Sequence, residues 1–336
     1  MPSLKIAVIG AGPIVVFESD KSPNARVPGG PLDLHPATGI AALKEAALYE
    51  EFLKHARFGG EALVICDKKF TKYINLPGGD EHSSRGRPEI DRTTLRDILL
   101  NSVPPHLIRW GCRLRSIDEN RSLIFDHSRE SGYDLVVGAE GAWSKIRKLI
   151  SDQMPTYAGL TGYHWRSPDA MDIAPRVGIF LLRRTCDYGP AAWGGSLNVY
   201  TFAPWSEDRK ANAPFDLHDT EAARNALLDE FHDWHPDLLD LVRHGQDPEP
   251  RPLYMLPVGW SWESCPGVTL VGDAAHVMTP FAGGGVNLGM QDALILSRAI
   301  FKASKSPTSE TNLPAEIKSF KKDLFVRAEQ TSKPDQ

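Results

Sequence analysis

Val271 to Leu296 reads VGDAAHVMTPFAGGGVNLGMQDALIL, and the reading of this stretch decides the fold. It opens where a short apolar run, Val268 to Val271, ends in Gly272-Asp273, the way a buried strand enters a ligand loop. A carboxylate at the carboxyl end of such a strand can accept hydrogen bonds from sugar or polyol hydroxyls. Pro280 and the glycines Gly283, Gly284 and Gly285 follow, and glycines let backbone amides crowd against a flat ring. From Gly285 the spacing predicts a helix to Ile300, whose positive end would face that ring and favour an anionic form. A buried helix cap with a flexible loop is the plainer alternative for Asp273 alone, and it fits the whole run far less well. His276, a lone histidine among apolar residues, reads as a packed core side chain before it reads as a catalyst.

The start of the chain has the same character. Leu4 to Ile9 is an apolar, β-branched run ending in Gly10-Ala11-Gly12, and Val15 to Glu18 reads as a second strand. In a dinucleotide fold Gly10 and Gly12 would let backbone approach a pyrophosphate, and Glu18 would accept from a ribose hydroxyl. Glycine pairs after strands also serve ordinary tight turns. The spacing departs from the fold's rule, which sets the acidic residue about 20 positions beyond the glycines because a crossover helix intervenes. Here only Pro13 and Ile14 separate Gly12 from Val15, so the third glycine and the first crossover helix are missing. Parallel neighbours ordinarily need a dozen or more connecting residues. The two segments are therefore expected to pair as a hairpin, or one of them to leave the sheet, and either outcome weakens dinucleotide binding.

Between these ends the chain alternates. Pro36 to Ala56 carries apolar residues at helical spacing, and Leu63 to Cys66 and Tyr73 to Leu76 read as strands. Asp91 stands at an N-cap position ahead of the periodic Leu95, Ile98 and Leu99. Ile108 to Phe125 suits short strands, Asp134 to Gly138 is another buried strand, and Ser144 to Ile150 a helical turn. From Thr156 to Tyr254 tryptophan, tyrosine and proline become frequent and strands alternate, as at Gly178 to Leu182 and Leu197 to Phe202, with one helical stretch at Glu221 to Trp234. A second, mostly β domain is expected there, and disorder only over the last ten or so residues.

Composition narrows the partners. The 336 residues are 41% hydrophobic and 24% charged, a soluble globular balance. A net charge of −5 offers no basic field for nucleic acid or an anionic membrane. The four cysteines, Cys66, Cys112, Cys186 and Cys265, lack metal-ligand spacing and read as reduced thiols. No metal site is expected. No leader pattern follows Met1, and no apolar run reaches the roughly 18 residues of a membrane span, so the expected location is the cytoplasm.

Several pieces together carry a resemblance: KIAVIGAGP at the start, VVFES, Gly29-Gly30-Pro31-Leu32-Asp33-Leu34-His35, the segment Glu89 to Leu100, DLVVGAEGAWSKIRKLI, and GDAAHVMTPFAGGGVN. In this order, across residues 4 to 300, the chain resembles FAD-dependent monooxygenases of the para-hydroxybenzoate hydroxylase type, and most of all the tetracycline-inactivating branch. The resemblance implies an α/β fold with a Rossmann-like FAD-binding domain and a mixed β-sheet substrate domain. The expected division is 1–153 for the first part of the FAD domain, 154–256 for the substrate domain, 257–305 for the second part of the FAD domain, and 306–336 for a shortened C-terminal helix and tail.

The resemblance also implies the chemistry: NAD(P)H reduces the flavin, O2 adds as a C4a-hydroperoxide, and its oxygen enters an aromatic or polycyclic ring. Glu18 would bind the FAD ribose, Asp33 and Arg96 would contact FAD, and Asp273 would hold the ribityl or pyrophosphate region. Pro280 and the amides of Gly283, Gly284, Gly285, Val286 and Asn287 would line the isoalloxazine, and Arg26 matches a nicotinamide-cofactor position. Arg96 on a helix, Asp33 in a turn and Glu18 at a strand end each have a plain solvated alternative. Because the flavin carries the chemistry, no catalytic triad is sought. Glu140 stands where the family's DG motif has aspartate, and Ser19 where an arginine often follows the ribose-binding glutamate. Trp165, Trp193, Trp205, Phe180 and Phe202 could stack on a flat substrate, although aromatics in a β-rich domain are more often core. The expected partners are a small aromatic substrate and O2, in a monomer or weak homodimer. The rival expectation is a non-catalytic remnant that binds FAD poorly because its phosphate-binding helix is absent. A plain NAD-dependent dehydrogenase is disfavoured, since it has no use for the second glycine segment.

Overall fold

Short apolar runs without alternation suit strands covered on both faces, and the chain uses them so. The computed structural model describes residues 4–9, 15–25, 30–58, 63–76, 86–167, 183–185, 196–208, 216, 219–305 and 309–333. Strands β1 (Ile6–Ile9), β2 (Val15–Phe17), β7 (Ile108–Arg109), β11 (Leu135–Gly138) and β16 (Val268–Leu270) form a parallel sheet in the order β16-β11-β1-β2-β7. Ile6, Leu135, Val136 and Leu270 are buried in its core, closed over by Leu296 and Ala303 of one long helix and Phe320 and Leu324 of the next.

The pairing of β1 with β2 overturns the expectation of a hairpin or a strand outside the sheet. They are parallel neighbours, with Ala7 opposite Val15 and Ile9 opposite Phe17. Because β2 is three residues long and begins beside Ala7, the chain leaving Ile9 steps back two residues and across one strand, about 8 Å in all. The Cα steps across residues 10–14 reach about 20 Å, ample for that span. The rule of a dozen residues holds where the chain must return the full length of a long strand.

A second sheet is antiparallel among the described residues: β13 (Arg183–Thr185), β14 (Ser196–Ala203), β12 (Thr156–Ser167) and β15 (Gln246–Met255), in that order. Period-two alternation sends Tyr163 and Trp165 of β12 to one face, where they pack with Val199, Ala203 and Trp205. Helices α5 (Thr220–Glu230) and α6 (Pro236–Arg243) cover that face through Ala223, Leu227, Leu238 and Leu241. Asp219 caps α5 by accepting from the amides of Glu221 and Ala222, both at 2.9 Å. Helix α6 had no counterpart in the sequence reading, and the expected strand Gly178 to Leu182 lies outside the described residues.

The third core lies under β3 (Leu32–Asp33), which pairs antiparallel with β6 (Glu89–Ile90), and α3 (Arg92–Asn101). The single helix expected over Pro36 to Ala56 is instead a π-type turn at Pro36–Ile40, then α1 (Ala41–Glu45) and α2 (Tyr49–Leu53). Ala47, at φ 56, reverses the chain between them. Asp91 occupies the N-cap of α3 as expected, but its carboxylate is taken by the Arg57 guanidinium at 2.8 and 2.9 Å rather than by the helix amides.

Smaller elements complete the chain. Strands β4 (Leu63–Cys66) and β5 (Lys72–Leu76) form a hairpin, and β8 (Leu114–Ile117), β9 (Leu123–Phe125) and β10 (Arg129–Glu130) a three-stranded sheet. Helix α4 spans Arg147–Ile150, α7 Asp273–His276, α8 Gly285–Ser304 and α9 Ser309–Ser332. The disorder expected over the last ten or so residues does not hold for 327–332, because α9 runs on to Ser332; residues 334–336 lie outside the described residues. Among the described residues no helix is long and apolar enough to cross a membrane.

Candidate functional site

The strand order makes the site. From β1 the chain proceeds to β2 and β7 on one side, then returns to β11 and β16 on the other. The crevice outside the carboxyl ends of β1 and β11 is thus the point where strand order reverses, the place where open α/β sheets bind ligands. Of the residues that follow these strand ends in the chain, Glu18 after β2, Ala139-Glu140-Gly141 after β11 and Gly272-Asp273 after β16 are described. Gly10 and Gly12 themselves, and Arg26, lie outside the described residues.

Asp273 opens α7 directly after Gly272, whose φ of 58 and ψ of −144 only glycine adopts without strain. Its carboxylate is exposed and makes no hydrogen bond among the described residues, the state of an acceptor presented outward. Glu18, half-buried, uses Oε1 to accept from the Ser19 hydroxyl at 3.0 Å and the Asp20 amide at 2.9 Å. Glu140 faces inward: its Oε1 accepts from the Ser144 hydroxyl and the Ile146 amide, both at 2.8 Å, while its buried Oε2 has no partner.

The glycine run is arranged for something flat. Pro280 begins a 3-10 turn, Gly283 sits left-handed at φ 62, and α8 starts at Gly285. Among the described residues, a Cβ built on Gly272, Gly283 or Gly285 meets nothing within 4 Å. At Gly285 neither backbone conformation nor, among the described residues, packing demands glycine, which leaves room for a flat ligand close to the backbone. The residues present therefore fit a flavin here, with the first amides of a 20-residue helix facing it.

Asn287 does more than supply an amide. Buried in the first turn of α8, it donates from Nδ2 to the Asp33 carbonyl at 2.8 Å and accepts at Oδ1 from the His35 amide at 2.7 Å and the Thr38 hydroxyl at 3.2 Å. This ties the Asp33 strand to the glycine run. The Asp33 carboxylate pairs with His35 Nε2 at 3.2 Å. Val286 packs against the third core. Arg96, on α3, lies 3.4 Å from the Asp97 carboxylate.

Three residues that support the site were not picked out from the sequence. Asp292, on α8, is fully buried and accepts at Oδ2 from the Gly272 amide at 3.0 Å, with His276 Nε2 2.6 Å away. Arg327, on α9, donates to its Oδ1 at 2.7 Å. Arg147, equally buried, donates to the carbonyls of Ala274 at 2.8 Å, Gln153 at 3.2 Å and Ala142. Burial pulls its guanidinium below its ordinary pKa, and the nearby Glu140 carboxylate acts against that. One signal was available for Asp292: it stands four residues from both Leu288 and Leu296, on the buried face of the helix. His276 is buried, in keeping with the core reading, although its partner is a carboxylate.

The second sheet faces this region with its other side. Tyr200 and Phe202 alternate with the core residues of β14, and His164 stacks on Tyr200 at 4.6 Å. Phe202 meets the exposed Phe281 of the glycine run edge-on at 5.5 Å. Of the aromatics proposed for substrate stacking, Trp165 and Trp205 are core residues instead, since β-sheet alternation and the α5–α6 cover leave them no free face. Trp193 and Phe180 lie outside the described residues.

Comparison with known proteins bears on what this site holds. A family model described as an FAD binding domain matches residues 262–314. The monooxygenase asqM of Emericella nidulans is 30% identical over 393 aligned positions, covering 93% of this chain and 87% of its own. Those positions outnumber the 336 residues here, so the relative carries segments with no counterpart in this chain. Among solved structures, a Klebsiella pneumoniae HpxO variant complexed with FAD superposes with a TM-score of 0.74 at 18% identity, over 98% of this chain and 88% of that one. The tetracycline destructase Tet(55) superposes at 0.63, also at 18% identity, over 98% and 89%.

Proposed function

This chain belongs to the FAD-dependent monooxygenases, and we propose that it consumes NAD(P)H and O2 to hydroxylate an aromatic or polycyclic small molecule held between the second sheet and the glycine run. The observation that carries this is the Gly272–Gly285 segment at the end of β16, with glycines that face open space and an outward carboxylate at Asp273. In this reading residues 1–153 with 257–305 form the FAD body, 154–256 the substrate body, and 306–336 a closing helix and tail, in a cytoplasmic monomer or weak homodimer.

Bound flavin supplies the redox chemistry, accepting electrons from NAD(P)H and activating O2. The protein supplies placement and exclusion of water. Asp273 accepts from ribityl hydroxyls, and Glu18 and Gly10 with Gly12 serve the adenosine end. Pro280 and the amides from Gly283 to Asn287 border the ring, with Asn287 keeping the Asp33 strand against it. Arg96 and Asp33 approach FAD from the third core, and Arg26 serves the nicotinamide cofactor. The Phe202–Phe281 contact supports a substrate lying against aromatic side chains at the junction of sheet and loop. Tyr200 and His164 extend that face.

One observation favours a second reading, a scaffold that no longer turns over. Five residues, 10–14, join β1 to β2, leaving no crossover helix to hold the pyrophosphate. The two readings separate in one experiment: protein reconstituted with FAD is mixed anaerobically with NADPH or NADH, then exposed to 18O2 with a panel of phenols. Flavin bleaching followed by one labelled oxygen in product supports the monooxygenase. Bound flavin that neither nucleotide bleaches supports the remnant.

A further inference from the structure

The segment that presents Asp273 is fixed by groups that never reach the crevice. Asp292 is fully buried on the core face of α8, and its two oxygens gather the Gly272 amide, the His276 ring and the Arg327 guanidinium from two parts of the chain, the turn after β16 and α9. Oδ2 takes the Gly272 amide at 3.0 Å and faces His276 Nε2 at 2.6 Å; Oδ1 takes Arg327 Nη1 at 2.7 Å. Arg327 is itself steadied by Asp323 at 2.7 Å, one turn earlier on α9. Hydrogen bonds to charged groups are short and strong, and a buried carboxylate without its cation is costly, so the arrangement has one low-energy geometry. Gly272 and His276 bracket α7, and Asp273 is the residue between them that points outward. An ordinary structural ion pair would need only Arg327 and Asp292; here the second oxygen is spent on both ends of the flavin-side turn.

We propose that Asp292 and Arg327 are positioning residues for FAD: the pair locks the Gly272 amide and the His276 ring, so that Asp273 meets the cofactor's polyol hydroxyls, and α9 sets flavin affinity without touching the flavin. The proposal rests on the reading of the crevice as an FAD site. It makes the C-terminal helix part of the cofactor site's support.

The test compares wild type with R327M, R327K, D292N and the double variant D292N/R327M. Three quantities are read: FAD dissociation constant by flavin fluorescence, thermal midpoint of the apoprotein, and amide hydrogen exchange over residues 272–276 of the apoprotein. R327M, which strands the buried carboxylate, melts lowest; the double variant, which removes both charges, regains much of the lost midpoint. If the pair positions the turn, the double variant still binds FAD about tenfold or more weaker, one charge-assisted hydrogen bond's worth. Exchange at 272–276 quickens in D292N and in the double variant, while Val136, Val137 and Leu270 in the parallel sheet keep wild-type protection. R327K, retaining the charge on a different reach, recovers part of the affinity lost in R327M. A folded double variant with wild-type FAD affinity, or exchange at 272–276 unchanged from wild type, overturns the proposal. Wild-type protein that takes up no FAD overturns the crevice reading and the cofactor half of the proposal with it, and the exchange data then decide the positioning half alone.

Discussion

Replacing Arg147 with methionine probes how the two motif segments at the crevice are joined. The guanidinium is buried and donates to three carbonyls, those of Ala142, Gln153 and Ala274, with no carboxylate bonded to it directly among the described residues. It thus connects the segment after β11 to α7, the helix that begins at Asp273. Each charge-assisted bond is worth about 1.5–3 kcal/mol, so the three total roughly 4.5–9 kcal/mol before the cost of burying the charge. That burial cost is several kcal/mol and is recovered when the charge goes, which leaves a net loss of about 2–4 kcal/mol for R147M. A chain of 336 residues has an unfolding entropy near 0.7 kcal/mol per degree, so the expected drop in thermal midpoint is about 3–6 °C. R147K should recover only part of it, because a point charge does not span three carbonyls. Thermal melts followed by circular dichroism, with and without FAD, measure this, and FAD should raise the midpoint less in R147M than in wild type. An R147M midpoint within about 1 °C of wild type refutes the reasoning, since it would mean that the three bonds merely balance desolvation.

Other perturbations test other joints. At Gly39 an added Cβ would lie 2.8 Å from Asn287 Oδ1 and 3.0 Å from Leu34 Cδ2, so G39A should push Asn287 off the Asp33 strand and cost about 1–3 kcal/mol, read as a lowered urea midpoint. A G39A midpoint equal to wild type would mean that the clamp yields freely. Asp118 is held below the usual carboxylate range, first by the backbone amide of Ser122, then by the Ser122 hydroxyl and the Arg129 charge. A lowered folded pKa gives stability that is present above the unfolded value of 3.8 and disappears as pH falls through the folded one. D118N should therefore flatten the acid-side loss of stability below about pH 4, and an unchanged slope would contradict the assignment.

The sheet was legible where local pattern and burial coincide. Ile6–Ile9, Leu135–Gly138 and Val268–Leu270 are continuous apolar runs because central parallel strands are covered on both faces, and each was readable as a strand. The outward Asp273 and the glycines after it followed from the same stretch. What failed was decided by tertiary geometry. The parallel pairing of β2 depended on its shortness and on where it starts relative to Ala7, which no composition reveals. The break at Ala47 has no glycine or proline to mark it. Asp91 was correctly an N-cap, yet its carboxylate answers to Arg57, 34 positions away. Trp165 and Trp205 were ambiguous because alternation assigns two faces without saying which one α5 and α6 will cover. Asp292 looked like one more helix charge until Gly272 and Arg327 were brought beside it.

The central claim is that this crevice holds FAD even though only residues 10–14 connect β1 to β2. The visible absorption spectrum of the purified protein, taken before and after incubation with excess FAD and removal of the unbound cofactor, tests it most directly. The account predicts a yellow protein with a flavin spectrum at about one FAD per chain, weakened in D273A. Protein that stays colourless after that incubation, while folded by circular dichroism, would contradict it.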